Sequence, residues 1–226
     1  MLSVFATLAW HTAHPGAVIG LLELSQVVQP LATPQLDEKK RETEARLRDL
    51  YQGATRKDIA AHPVMEAYIR YYKRFSKTYH VLLQAESIAL KDKRLPDVCP
   101  LVDAVFISEM ETFVLTAGHD VDELQPPILI DVSHEDEQMI QMDGTIKIIR
   151  AGDMIMRNAE GISCSILYGQ CKRSPITPTT SHVLYVSYVP GGVPQETVIT
   201  HLHNIEANIR LFSPSAVVEQ NTLIYA

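Results

Sequence analysis

PLVDAVFISEMETFVLTAG, residues 100–118, decides what kind of fold this chain can adopt. Proline is accepted in the first turn of a helix, and glycine ends one in the left-handed conformation. Pro100 and Gly118 therefore bracket a predicted helix over the whole stretch. Val102, Val105, Phe106 and Phe113, with their apolar neighbours, leave this helix almost no polar face. A helix that is apolar nearly all round belongs in an interior, and here it is expected to lie against a sheet.

The flanking sequence supplies the strands for that sheet. Upstream, SVFATLAW (3–10) and AVIGLLEL (17–24) are short, apolar or alternating, and separated by the turn-forming HTAHPG. A charged amphipathic helix follows over 37–51, with Asp37 as its expected N-cap and Gly53 as its stop. HPVMEAYIRYYKRF (62–75) repeats Val64, Tyr68, Tyr71, Tyr72 and Phe75 at steps of three and four, which predicts a helix with one aromatic face. Downstream of 126 the pattern turns to strands: ILIDVS, QMIQMD, GTIKIIRAGDMIMR, ISCSILYG and HVLYVSYVP, with DGT and AGD as tight turns. An amphipathic helix, ETVITHLHNIEANIR, and a last strand, AVVEQNTLIYA, complete the chain. With no repeat and no Gly/Ser linker, the expectation is one α+β domain of layered sheets over residues 1–226.

Composition narrows the function classes. Hydrophobic residues make up 46% and the mean hydropathy is near zero, which provides for a sizeable core. No apolar run approaches the length of a membrane span, and the opening MLSVFATLAW lacks the basic region and cleavage motif of a secretory signal. Cys99, Cys164 and Cys171 form an odd set without CxxC spacing, so reduced thiols in a cytoplasmic protein are expected. The net charge of −7 hides an asymmetry: residues 1–100 carry a positive excess and the remainder a large negative one. The basic runs DEKKRETEARLR, RYYKRF and KRLP are either solvated helix faces or the field of a nucleic-acid binder.

Two polar stretches are the candidate site. LTAGHDVDEL (115–124) places His119, Asp120 and Asp122 directly after the predicted helix end. It reads as a structural loop or as a ligand or RNA contact. A metal site is disfavoured, because adjacent residues such as His119 and Asp120 point apart and do not converge on one ion. SILYGQCKRSPITPTT (165–180) leaves a strand at Tyr168–Gly169 and carries Arg173, Ser174, Thr177 and Thr180 on a loop stiffened by Pro175 and Pro178. Hydroxyls and a guanidinium on such a loop suit phosphate, ribose or carboxylate, though the same loop also serves as a plain connection. The HLH pair His201/His203 lies on opposed faces of a helix and shares no ion. Motifs for nucleotide cofactors, hydrolases and zinc peptidases are missing, so no cofactor is expected.

Taken in order, HPVMEAYIRYYKRF, KTYHVLLQAESIALKDKRLPDVCPLVDA, TAGHDVDEL, AGDMIMRNAEGISCSILYGQCKRSPITPTT and VLYVSYV resemble the B3/B4 domain. That domain belongs to the β subunit of bacterial phenylalanyl-tRNA synthetase and also occurs as stand-alone proteins. The resemblance covers about Ala17 to Tyr188, and the whole chain if stand-alone members are compared. It implies a three-layer ββα sandwich. In the synthetase the domain edits tyrosine wrongly attached to phenylalanine tRNA. This chain departs from that editing pattern, with Ala117 in place of a histidine, Val105-Phe106 in place of Thr-Asn, and Pro175 near the position of a glutamate. It looks instead like the stand-alone branch, with tRNA or an aminoacyl-tRNA-like ligand as the implied partner. His119, Asp120 and Asp122 are then expected to form one lip of a pocket. Tyr168 and Gly169 form its wall, Arg173 an anion contact, and Ser174, Thr177 and Thr180 the polar contacts. Trans-editing hydrolysis of a mischarged aminoacyl-tRNA and a scaffold for small molecules or proteins remain the alternatives.

Overall fold

The computed structural model describes all residues from 1 to 226. Its first half runs β1 (Val4–Ala6), α1 (Leu8–Ala13), β2 (Val18–Ser25), α2 (Pro34–Leu50), α3 (Arg56–Ala60), α4 (Pro63–Lys73), α5 (His80–Lys91) and α6 (Pro100–Thr112). Then come β3 (Thr116–Asp120), a 3-10 turn at Val121–Glu123, β4 (Ile128–Val132), β5 (Gln138–Ile140) and β6 (Ile146–Ile148). The chain ends with β7 (Met154–Asn158), β8 (Gly161–Ser165), β9 (Gly169–Gln170), β10 (Val183–Val189), α7 (Gln195–Arg210) and β11 (Val217–Tyr225).

The strands sort into a five-stranded sheet of order β1-β4-β7-β8-β9, a four-stranded sheet of order β11-β2-β10-β3, and the β5-β6 hairpin. Only β1 and β4 pair in parallel. In the four-stranded sheet β10 is the axis, with Tyr185 opposite Leu22 on β2 and Gly118 on β3. All seven residues of β10 are buried because both faces are covered. On one face Tyr188 reaches toward Cys164 of β8 in the other sheet. On the other, Ser187 bonds Thr116 at 2.7 Å, and His201 of α7 bonds Thr116 at 2.6 Å and Thr112 at 2.7 Å. The layers are therefore sheet, sheet and helices α6/α7, the ββα sandwich expected from the sequence, in the α+β class.

Tyrosines of α4 fasten this helix to the ends of both sheets. Tyr68 Oη donates to Tyr188 O at 2.8 Å and accepts from Leu115 N at 3.0 Å. Tyr71 donates to Asp153 at 2.7 Å, and Tyr72 donates to Ile166 O. The aromatic face read at 62–75 is thus buried, each of its three tyrosines placing its hydroxyl on a partner as burial requires.

Three boundaries differ from the sequence reading. The central helix ends at Thr112, six residues before Gly118, and Phe113 takes the left-handed conformation at φ 61°. Phe113 tolerates this because its ring is buried and packs edge-on against His62 at 4.9 Å, while its N–H bonds Glu109 O at 2.7 Å. Residues 116–120, read as helix end and loop, become the edge strand β3. SVFATLAW is strand only to Ala6, since Thr7 caps α1 by accepting from Trp10 N at 3.2 Å. The charged helix begins at Pro34 rather than after Asp37, with proline in its first turn.

Candidate functional site

The two polar stretches meet. His119 Nδ1 lies 2.8 Å from Ser174 Oγ, Asp120 N donates to Ser174 O at 3.2 Å, and Thr180 donates to Asp120 Oδ2 at 2.6 Å. These contacts weld β3 to the 171–180 loop and consume much of the polarity assigned to ligand contact. His119 is fully buried, and burial drives its pKa down to about 3, so the ring is neutral. Gln170 Nε2 also approaches Nδ1 at 3.3 Å, which makes Nδ1 the acceptor and leaves the proton on Nε2. Ser174 and Thr180 are buried, and Thr180 Oγ1 accepts from Thr177 N at 2.9 Å. Arg173 donates to Ile162 O at 3.0 Å and lies 3.5 Å from Glu160. Asp122 is exposed, 4.0 Å from His182.

Behind this weld lies a cavity of about 340 Å3, within the roughly 300–1,000 Å3 of small-molecule sites. Four of its walls come from different elements. α6 contributes Val102, Val105, Phe106 and Glu109, one helical face at steps of three and four. β3 contributes Thr116, Ala117 and Gly118, the end of β8 contributes Cys164 and Ser165, and α5 contributes His80 and Gln84 at the rim. Gly169, Gln170 and Ile176 close the side nearest the weld. Of the residues expected in the site, Gly169 alone lines this cavity, while the others stand behind or beside its wall.

β3 is an edge strand, and its free backbone groups face the cavity side. Thr116 N donates to Glu109 Oε1 at 2.9 Å and Asp120 N to Ser174 O, both away from β10. Gly118 lies between them in the same phase, so its N–H and C=O turn into the cavity. Only glycine fits there. A Cβ would lie 2.5 Å from Ile176 Cδ1 and 2.9 Å from the Tyr185 ring, and Tyr185 is anchored by its 2.9 Å bond to Leu101 O. Gly118→Ala is expected to cost about 1–3 kcal/mol through overpacking, measured by urea denaturation.

Glu109 is the group that sequence reasoning missed. It is 3% exposed, its Oε1 accepts the Thr116 N–H, and no protein group bonds Oε2. Burial pushes its pKa up to about 8, so the carboxyl is protonated at neutral pH. An acid of this kind offers a hydrogen bond to a ligand inside an apolar chamber. The signal in the sequence was a carboxylate, Glu109, at the helical spacing of Val102, Val105 and Phe106. Cys164, the thiol in the wall, is raised to about 12 by burial and stays protonated.

Cations gather beside the rim. Lys77 Nζ sits 4.3 Å from the Tyr168 ring centre and Lys147 Nζ 5.3 Å, and neither has a carboxylate within 4.0 Å. Burial, then Lys147 and Arg150, hold the Lys77 pKa below the usual lysine value. Tyr168 precedes the lining residue Gly169, Lys147 shares a hairpin with the lining residue Met142, and Lys77 precedes His80 by three positions. No three His, Cys, Asp or Glu side chains are grouped as a metal site, and no helix is long and apolar enough to cross a membrane.

No protein-family model matches the chain, and no curated protein matches it in sequence. Among solved structures it is similar to an N-terminal fragment of the phenylalanyl-tRNA synthetase beta-subunit from Pyrococcus horikoshii, with a TM-score of 0.50 and 9% identity. The match covers 100% of this chain and 55% of that one, so this chain spans about half the length of the fragment. At this identity the likeness is one of fold.

Proposed function

We propose that this chain is a stand-alone relative of the B3/B4 domain, one domain over residues 1–226, that binds tRNA or an aminoacyl-tRNA-like ligand in the cytoplasm. The observation that carries this reading is an apolar cavity with a buried acid, set beside an unpaired cation pair stacked on Tyr168. The cavity suits the apolar side chain of an aminoacyl group. Lys77, Lys147 and Tyr168 suit the phosphate and base next to it. In this reading Gly169 and Tyr168 form wall and rim. His119, Asp120, Ser174 and Thr180 hold the lip in place, and Asp122, Arg173 and Thr177 stand on its outer side.

Binding to tRNA is expected to weaken steeply as salt rises, because each phosphate contact releases counterions. Charge reversal at Lys77 and Lys147 together is expected to lower affinity at low salt by at least about tenfold. Filter binding across a salt series measures both. Absent or salt-independent tRNA binding removes the reading, and a chain that instead retains a metabolite through purification favours a small-molecule scaffold.

The hydrolase reading rests on the unbonded Glu109 Oε2 in the cavity, the one acid placed to act on a bound ester. Deacylation assays on mischarged tRNAs, compared between the wild type and Glu109→Gln, decide it. Release no faster than the uncatalysed rate ends it.

A further inference from the structure

A second pocket, of about 230 Å3, is lined by His14, Arg70, Tyr71, Arg74 and the turn at Pro190–Gly191. Arg70 on α4 and Arg74 at its C-cap stand one helical turn apart. Neither guanidinium has a carboxylate within 4.0 Å or a hydrogen bond to the protein, although acidic residues outnumber basic ones 27 to 20 in this chain. Both side chains are exposed, and each lies against a neighbour. Arg74 lies 5.6 Å from the Tyr71 ring centre and 5.6 Å from that of Phe75. Arg70 rests against Gly192, where φ is +102° and a Cβ would come within 2.7 Å of Nη2.

The third group is independent of charge. His14 is 5% exposed, and its Nε2 is buried without a partner. Such an orphan costs about 1–3 kcal/mol unless something satisfies it. Burial and the Arg74 charge lower the His14 pKa to about 4, so near neutral pH the ring is uncharged and adds no second positive charge beside Arg74.

We propose that this pocket, which the His14 ring helps to line, binds a phosphate group, with its oxygens shared between the forks of Arg70 and Arg74. Planar guanidinium forks match phosphate oxygens two at a time, which a pair of lysines does not reproduce. The phosphate is either a free or terminal phosphate dianion or the diester of a nucleotide chain. This site does not depend on the cavity or on the proposed function.

The test is a titration of the full chain with inorganic phosphate at low ionic strength, followed by the amide resonances of Gly191 and Gly192 and the ring of His14. Saturable shifts confined to this pocket are expected. Arg70→Ala with Arg74→Ala should weaken binding by at least about tenfold. Arg70→Lys with Arg74→Lys keeps the charge and should still lose most of the affinity. It also carries the test if the double alanine variant fails to fold. A dinucleotide with and without a 5′-phosphate separates the sources. Binding only of the phosphorylated form assigns the dianion, and equal binding of both, lost in the arginine variants, assigns the diester. No shifts at roughly 50 mM phosphate, far above any affinity of functional use, overturn the proposal. Shifts that persist unchanged in both double variants overturn it as well.

Discussion

Replacing Asp153 by alanine is expected to destabilise the folded chain by about 3–5 kcal/mol, the scale of a buried hydrogen-bond network losing its centre. Asp153 is fully buried where the five-stranded sheet meets α4. It accepts from Tyr71 Oη at 2.7 Å, from Ser165 Oγ, and from Leu167 N at 3.4 Å. Tyr71 in turn accepts from Met154 N at 2.7 Å, so the carboxyl joins α4 to β7 and β8. Its loss leaves several donors buried without acceptors. Burial raises its pKa to about 7, against 3.8 for the free side chain. A carboxyl whose folded pKa is raised contributes stability that is complete below the unfolded pKa and is lost as pH rises through the folded one. Asp153→Asn, which cannot ionise, should therefore flatten the stability profile between about pH 4 and 7. Urea melts across that range measure both variants. A wild-type-like midpoint for Asp153→Ala at pH 6 would contradict the network.

Much of the architecture was legible because its signals are local. The aromatic stripe at Val64–Phe75 and the alternation in HVLYVSYVP each dictate an element without help from the rest of the chain. The end of α6 was not legible. Gly118 is the expected helix stop by its chemistry, yet Phe113 takes the left-handed turn, and burial of its ring against His62 outweighs the usual preference for glycine. That early stop releases Leu115–Asp120 to pair with β10, and Gly118 then serves a close approach to Ile176 and Tyr185 instead of a cap. The structure joins the 119 and 174 segments directly, where the sequence reading set them on two sides of one pocket. What it missed is that His119, Ser174, Asp120 and Thr180 bond one another and face away from the open space. Lys77, Tyr168 and Lys147 come from three separate segments, and only the tertiary pairing brings them together.

Glu109 is where stability and ligand recognition meet, and two substitutions separate them. Glu109→Gln keeps an oxygen for the Thr116 N–H and removes the titration. The folded pKa of about 8 lies above the free value of 4.5, so the wild type loses this contribution as pH climbs through that window. The glutamine variant should be flatter across it. At about pH 9 it should be the more stable protein by on the order of 4–5 kcal/mol. Glu109→Leu keeps the volume and leaves Thr116 N–H with no acceptor, a cost of about 1–3 kcal/mol at any pH. Recognition divides differently. At neutral pH the protonated Oε2 is a donor in an apolar chamber, and the glutamine amide supplies a donor too, whereas leucine supplies none. The wild type and Glu109→Gln should therefore prefer p-cresol over toluene in ligand-observed NMR, and Glu109→Leu should lose that preference by at least about tenfold. Equal preference in all three proteins would mean that Oε2 does not address the cavity, and the acid would then be a structural acceptor for β3 alone.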